Sequence, residues 1–396
     1  MRPLVFSVLP RPPHPTRDGM AIRNYHLLAG LAEAFRVRAF SLRDPERSYE
    51  GEWPAGVEAE TVRQLPRRFR RFAAAISSLL AGGAYSERLY RSFALSRHVL
   101  ACLAEERPVW IVAHSYHVGL GALRIGGPVW TDFHNLDSEI WQRTADTAGS
   151  AAVRWFARMQ QARVFGVEGT VASLSAGLSC VSERDARGLR AYGGRAAPRV
   201  IPNGVDLVRH AFRRDEPPDE TVLFVGDLSW HPNAAGVRWL LANVWPVVRS
   251  RRPGARLVIV GRSAPTGLLG RGDPTVLFAG EGGDARSHWL EAAVAVVPLL
   301  AGGGTRLKIL EAAATGVPVV STSVGAEGLE LADGSEILRR DDPATFAEAV
   351  VGLLADRSAA RRQAAAARAR VEELYDWARI RGILPAALDK AAGSRA

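Results

Sequence analysis

The sequence predicts an α/β protein made of two doubly wound parallel-sheet domains. Three observations carry that reading. Short, β-branched apolar runs alternate with helical patterns from Leu4 to Ser321, the order that builds parallel sheets covered by helices on both faces. The alternation restarts at Thr221, after a polar stretch, Arg213–Glu220 with Pro217-Pro218, that reads as a linker. The chain of 396 residues is long enough for two full cores.

Leu4–Leu9 is the first expected strand. A proline-rich loop carrying Asp18-Gly19 follows, then an amphipathic helix to about Ala34, so strand, glycine loop and helix open a βαβ unit. Phe35–Leu42 is the second strand. Val109–Ala113 and Pro128–Phe133 are strands that deliver His114 and His134-Asn135 at their carboxyl ends, where open α/β sheets bind ligands. For His134 a ligand contact is the expectation. For His114 a ligand contact and a structural cap both stay open. Leu178–Val181 is a further strand, ending at the helix cap Ser182-Glu183, and Arg199–Asp206 is a strand running into turns. The expected domains are residues 1–202, 203–375 and a C-terminal helix over 376–396.

In the second half, Thr221–Val225 leaves at Gly226-Asp227, and Asn233 to Arg251 is a helix. Arg256–Val260 leaves at Gly261-Arg262, and Thr275–Ala279 at Gly280-Glu281. Ala292–Val297 and Val317–Ser321 are buried strands, and from Pro343 the chain is helical with a break near Asp376.

Between the last two strands lies the stretch with the most chemistry. Gly302-Gly303-Gly304 precedes a short helix expected to open on Thr305 and to end at Gly316. Bare backbone N–H groups at a helix start favour a negative ligand. Arg306 and Lys308 in the first turn are the wrong charge for capping, and an arriving anion resolves the conflict. Of 51 basic residues only Lys308 and Lys390 are lysine, so a compact ammonium is retained inside this loop. Glu311 stands three residues on, in reach of an adjacent sugar's hydroxyls or of an i,i+3 ion pair with Lys308.

Apolar content of 47% and charged content of 23% are ordinary for a globular protein, and the net charge of +10 suits an anionic partner without choosing one. Between Glu60 and Glu87 there is no acidic residue, while Arg63, Arg67, Arg68, Arg70 and Arg71 interleave with Phe69 and Phe72 ahead of Ala73–Leu80. Arg63–Leu80 is either a solvated basic helix end or a peripheral contact with an anionic membrane. Cys102 and Cys180 read as core residues of a reduced compartment. The N-terminal apolar run is too short for a signal peptide, and no run reaches the ~18 apolar residues of a membrane span, so a cytoplasmic location, peripheral at most to the membrane's inner face, is expected.

Several chemistries lack their residues. Gly302–Lys308 has no Gly-Lys-Ser/Thr ending, and Gly280–Ala285 fits a dinucleotide fingerprint only by chance of composition. There is no Asp-x-Asp pair, no His/Cys cluster at metal spacing and no G-x-S-x-G elbow. No metal and no cofactor are expected. What remains is a diphosphate site in which Gly303, Gly304 and Thr305 cradle oxygens while Arg306 and Lys308 neutralise charge.

Gly302–Val320, together with Ile201–Asp206, Gly226–Asn233 and Ser323–Leu329, resembles the retaining GT-B glycosyltransferases of the group 1, family-4 type. The resemblance covers nearly the whole chain and is strongest after residue 200. It implies two Rossmann-like domains facing a cleft, a nucleotide-sugar donor on the second, a glycan or lipid-linked acceptor on the first, and no nucleic acid. It assigns Glu311 to the donor ribose, His134 to the transferred sugar, and Asp18-Gly19 to the loop facing the phosphates. At the strand exits Arg262 and Glu281 are further candidates on the donor side, and Asp18 and His114 are candidates on the acceptor side. Two departures are visible. The first of the family's usual pair of glutamates falls in the glycine loop, taken at Gly304, and the usual Arg/Lys pair meets Asp227 and Asn233. The rival readings are a nucleotide-sugar epimerase on the same frame and a non-catalytic polyanion binder.

Overall fold

The computed structural model describes residues 2–46, 51–213, 215, 217, 219–262, 273–280 and 285–393. The chain forms two compact units, Met1–Pro202 with Ala378–Ala396, and Asn203–Trp377. Each unit is built on one parallel sheet.

The first unit's strands are β1 (Leu4–Leu9), β2 (Arg36–Arg43), β3 (Val57–Arg63), β4 (Trp110–Ala113), β5 (Val129–Phe133), β6 (Gly177–Cys180) and β7 (Arg199–Val200). They pair in the order β3-β2-β1-β4-β5-β6-β7. The second unit's strands are β8 (Thr221–Val225), β9 (Arg256–Val260), β10 (Val276–Gly280), β11 (Val294–Val297), β12 (Val319–Ser321) and β13 (Leu338–Arg339), in the order β10-β9-β8-β11-β12-β13. All described pairings are parallel.

The central strands are apolar on both faces because both faces are covered. Val222, Phe224, Val294 and Val296 belong to one core cluster, while the alternate residues Leu223, Ala295 and Val297 belong to another on the opposite side. Burying each such side chain stabilises the fold by about 1.5–3 kcal/mol. In the first unit the C-terminal helix Ile383–Gly393 packs on Gly19–Ala34, and the Leu388 carbonyl accepts a hydrogen bond from the buried Trp110 indole at 3.1 Å.

Three expectations change. β3 was not anticipated: Val57–Arg63 reads Val-Glu-Ala-Glu-Thr-Val-Arg and stays largely solvated as an edge strand, where charged residues discourage further pairing. The helix expected from Asn233 begins at His231 and contains a π turn, Leu240–Val244, just ahead of Pro246. Proline has no N–H to continue the regular ladder, which accounts for the irregular turn. The helix after the glycine loop runs Leu307–Thr315, with Arg306 rather than Thr305 at its N-cap.

Candidate active site

In the second unit strand order reverses between β8 and β11, and ligands of open α/β sheets sit outside the carboxyl ends at such a reversal. Gly226 leaves β8 there, and the glycine loop leaves β11. Lys308 projects from the loop's helix against the β8 exit. Its Nζ donates to Asn233 Oδ1 at 3.1 Å and lies 4.3 Å from the Phe224 ring centroid. Asn233 in turn donates from Nδ2 to the Asp227 carbonyl at 2.9 Å. Gly226 is the residue that makes room, since a Cβ there would stand 2.7 Å from Lys308 Nζ and 2.8 Å from Asn233 Nδ2. Burial pushes the Lys308 ammonium down to about 7, with the Arg306 charge acting in the same direction and Glu311 against it. A cation held this far below its ordinary range is poised to be charged by an anion.

Arg306 and Lys308, expected to act together, have different places. The buried Arg306 guanidinium donates from Nη1 to the carbonyls of Gly303 and Gly304 and lies 6.0 Å from the Trp230 ring centroid. It ties the glycine loop to itself. Thr305 does not cap the helix because its hydroxyl accepts from Asn203 Nδ2 at 2.7 Å, which pins the loop to the start of the unit. Gly304 has φ +70°, in the left-handed region that a side chain makes costly. The family's two glutamates stand eight positions apart, and eight before Glu311 is Gly303; the substituted position is therefore Gly303, not Gly304.

Glu311 sits one turn beyond Lys308. Its Oε2 accepts from the buried Trp289 indole at 3.3 Å, and among the described residues the ion pair with Lys308 does not form. Arg262 pairs with Asp227 at 2.7 Å. Burial would raise the Asp227 carboxyl, but hydrogen bonds from Ser229 and the Arg262 charge hold it below its ordinary value. Glu281 lies outside the described residues.

In the first unit the order reverses between β1 and β4. Asp18 caps the Gly19–Ala34 helix, accepting from Ala21 N at 3.1 Å and pairing with Arg11, so Gly19 is the first helical residue. That helix carries Arg23, which is fully buried and binds Asp132 in both arms at 2.7 Å. Its Nη1 also donates to the Ile201 carbonyl at 2.9 Å. Asp132 accepts from Ser179 Oγ at 2.6 Å, and His134 Nε2 lies 3.1 Å from its Oδ2. Burial alone would raise the Asp132 carboxyl. The Arg23 charge and the hydrogen bonds from Arg23 and His134 outweigh it and hold the group well below the carboxylate range. Burial also lowers His134, against the pull of Asp132.

His114 is completely buried, with Nε2 3.3 Å from Ser7 Oγ, and burial pushes it down to about 3. Its surroundings are those of a neutral, buried histidine. Next to it Ser115 holds φ +126°, the one described non-glycine residue with positive φ. Such strain concentrates at functional turns.

Several residues of the candidate site have no role assigned from the sequence: Arg23, Asp132, Asn203, Trp289 and Ser115. The signal for Asp132 is a charged residue inside a strand that carries no other charge, two positions before His134 on the same face. The tertiary fold also gathers Glu60, His98 and Cys102, whose ligand atoms lie within 4.8 Å of one another, a grouping that linear spacing hides. Arg38 occupies it, donating to Glu60 at 2.6 Å and to Cys102 at 3.3 Å.

Two Rossmann-like sheets in one chain, with a lysine-bearing glycine loop at the second reversal point, define the GT-B class of α/β protein. Solved structures agree on that fold. Sucrose-phosphate synthase from Thermosynechococcus elongatus superposes with TM-score 0.74 at 19% identity, covering 100% of both chains. Anabaena HepE, solved in complex with UDP and glucose, gives 0.67 at 13% identity over 98% of this chain and 100% of its own. Residues 17–209 match the family described as Glycosyltransferase Family 4, and residues 219–356 match Glycosyl transferases group 1. The chain is 32% identical over 204 residues to a glycogen synthase of Mycobacterium tuberculosis, covering 46% of each. It is 34% identical over 191 residues to the phosphatidyl-myo-inositol mannosyltransferase of Mycolicibacterium smegmatis, covering 45% of this chain and 48% of that one. The chain spans about half the length of the curated relatives it matches. It belongs to the group 1 glycosyltransferases.

Proposed function

We propose that the protein moves a sugar from a nucleoside-diphosphate-sugar donor to an acceptor hydroxyl, with retention and without a metal ion. The observation that carries this reading is the placement of Lys308, whose depressed ammonium lies under Gly226 beside the glycine loop, one turn from a Glu311 already oriented by Trp289. A diphosphate in that crevice meets backbone N–H groups and a lysine that charges fully on its arrival. The same contacts strengthen as charge develops on the departing diphosphate, which is the requirement for catalysis rather than tight binding alone. Glu311 takes the ribose hydroxyls, and His134, oriented over Asp132, positions the sugar. HepE is solved with UDP and with UDP-glucose, which favours a donor of that class. Retention rests on the family alone, and metal independence rests on a cationic site with no paired carboxylates among the described residues.

The acceptor is a glycan or lipid-linked intermediate in polysaccharide or glycolipid synthesis. No described helix is long and apolar enough to cross a membrane. The Arg67–Ala81 helix, however, exposes Phe69, Phe72 and Leu80 beside Arg67, Arg68 and Arg71, a face that suits peripheral contact with an anionic bilayer.

A thermal-shift panel of nucleotide sugars tests the donor site. One donor class should raise the melting temperature selectively, with or without a chelator, and Lys308→Ala and Glu311→Ala should each abolish that shift in a folded protein. Wild-type responses from both variants would place the site elsewhere.

A further inference from the structure

We propose that a pocket on the first unit, walled by the helices Tyr85–Tyr90, Phe93–Glu105 and Tyr116–Ile125, seats the hydrocarbon chain of an anionic lipid-phosphate acceptor. The inference rests on the glycosyltransferase reading and assigns its acceptor class. The pocket holds about 260 Å³, short of the ~300–1,000 Å³ that enclose a drug-sized ligand, so it fits a chain segment rather than a sugar nucleotide. Its floor is aliphatic and buried: Val8, Leu95, Val118 and Ala122. Glycan sites need polar groups to meet ring hydroxyls, and this floor offers none.

Of the charged and imidazole side chains that reach the pocket, all but two are already committed among the described residues. His117 Nε2 lies 3.2 Å from Asp137, and its Nδ1 lies 2.5 Å from Ser115 Oγ. Arg91 pairs with Glu87 at 3.0 Å. Arg97 and Arg124, both exposed at the rim, have no carboxylate partner among the described residues. Beside them Phe93 and Leu100 are exposed large apolar side chains. An apolar hole with two unneutralised guanidinium groups at its mouth is complementary to an alkyl chain ending in phosphate. One wall, Tyr85–Tyr90, also packs against the Arg67–Ala81 helix, so the pocket continues the apolar, arginine-bearing surface from which such a lipid would be drawn.

Dodecyl phosphate, used below its micelle concentration, is the probe, with inorganic phosphate and uncharged dodecyl maltoside as comparators, and binding read by calorimetry on the full chain. Gly121→Leu fills the pocket. Position 121 is helical, its nearest neighbour to an added Cβ is Ser96 Oγ at 3.8 Å, and leaving glycine raises helix propensity, so the variant is expected to fold. It should weaken dodecyl phosphate at least tenfold, and Arg97→Gln with Arg124→Gln should do the same while leaving dodecyl maltoside unchanged. Equal binding of inorganic phosphate would reduce the site to a bare basic patch. Maltoside binding as tightly as the phosphate, no dodecyl phosphate binding, or wild-type affinity in Gly121→Leu would each overturn the assignment. Nucleotide-sugar stabilisation, measured in parallel, separates the two readings: its loss from the wild type would sink the donor site and leave the lipid result standing.

Discussion

Nucleotide-sugar affinity should depend on pH through Lys308. Its ammonium is pushed down to about 7 in the free protein, so the neutral amine gains as pH rises through neutrality. A diphosphate favours the charged form. Binding above pH 7 must therefore take up a proton, and affinity must fall as pH rises. With a free pKa near 7, about nine-tenths of Lys308 is charged at pH 6 and about one-tenth at pH 8. If the complex keeps the ammonium charged throughout, affinity drops about tenfold between those pH values, with uptake of ~0.9 proton at pH 8. That condition asks the diphosphate to raise the pKa by about two units, or ~2.7 kcal/mol, within the range of one charge-assisted hydrogen bond to an ion. Calorimetry in buffers of different ionisation enthalpy reads the proton count directly. A nucleotide sugar is the right ligand because its phosphates are both esterified and do not titrate in this range. Lys308→Met should bind weakly and without the slope. A flat affinity from pH 6 to pH 8, or an unchanged slope in Lys308→Met, would refute the placement of the cation.

Other consequences can be measured on the same preparation. Gly226→Ala puts a methyl group 2.7 Å from Lys308 Nζ, and it should remove the nucleotide-sugar thermal shift while a melt without ligand shows a fold still cooperative. Asp132→Asn leaves the buried Arg23 guanidinium without its charge partner, and equilibrium denaturation should show a loss of about 3–5 kcal/mol. His114 is held neutral down to about pH 3 in the fold but charges near 6.5 when unfolded. Protons therefore favour the unfolded chain across that window, and this residue contributes a decline of up to about 1.4 kcal/mol per pH unit as pH falls from 6.5. In His114→Leu, denaturant titrations over the same range should be flatter.

The fold was legible because the central strands are buried on both faces and carry little else. Runs such as Thr221–Val225 and Ala292–Val297 admit few other readings, and the glycines at their exits mark where the chain turns. β3 was not legible because its side chains are polar and its place depends on pairing with β2 alone. The candidate site was half legible. The glycine loop, Lys308 and Glu311 lie close in sequence, so local chemistry exposed them. What Arg306 does depends on the loop folding back onto its guanidinium, and what Thr305 does depends on Asn203, 102 residues away. No spacing rule reaches such partners. The same limit hid Arg23 and Asp132, which are 109 residues apart and meet only when the first helix is laid on the sheet.

The lysine itself now has a steric explanation that composition could only suggest. This chain writes almost every cation as arginine, yet the β8 exit offers space bounded by Asn233, by the Phe224 ring and by the bare Cα of Gly226. A compact ammonium fits against those three neighbours. A planar guanidinium is wider, has five donors to satisfy and never becomes neutral near pH 7. Lys308→Arg therefore keeps the formal charge but should lose nucleotide-sugar binding nearly as completely as Lys308→Met. Charge alone predicts the opposite, namely an arginine variant close to wild type with its pH slope abolished. Titrating both variants with one nucleotide sugar at pH 6, where the native lysine is charged, decides between shape and charge. An arginine variant binding within a few-fold of wild type would mean that the crevice under Gly226 is not the cation's working position.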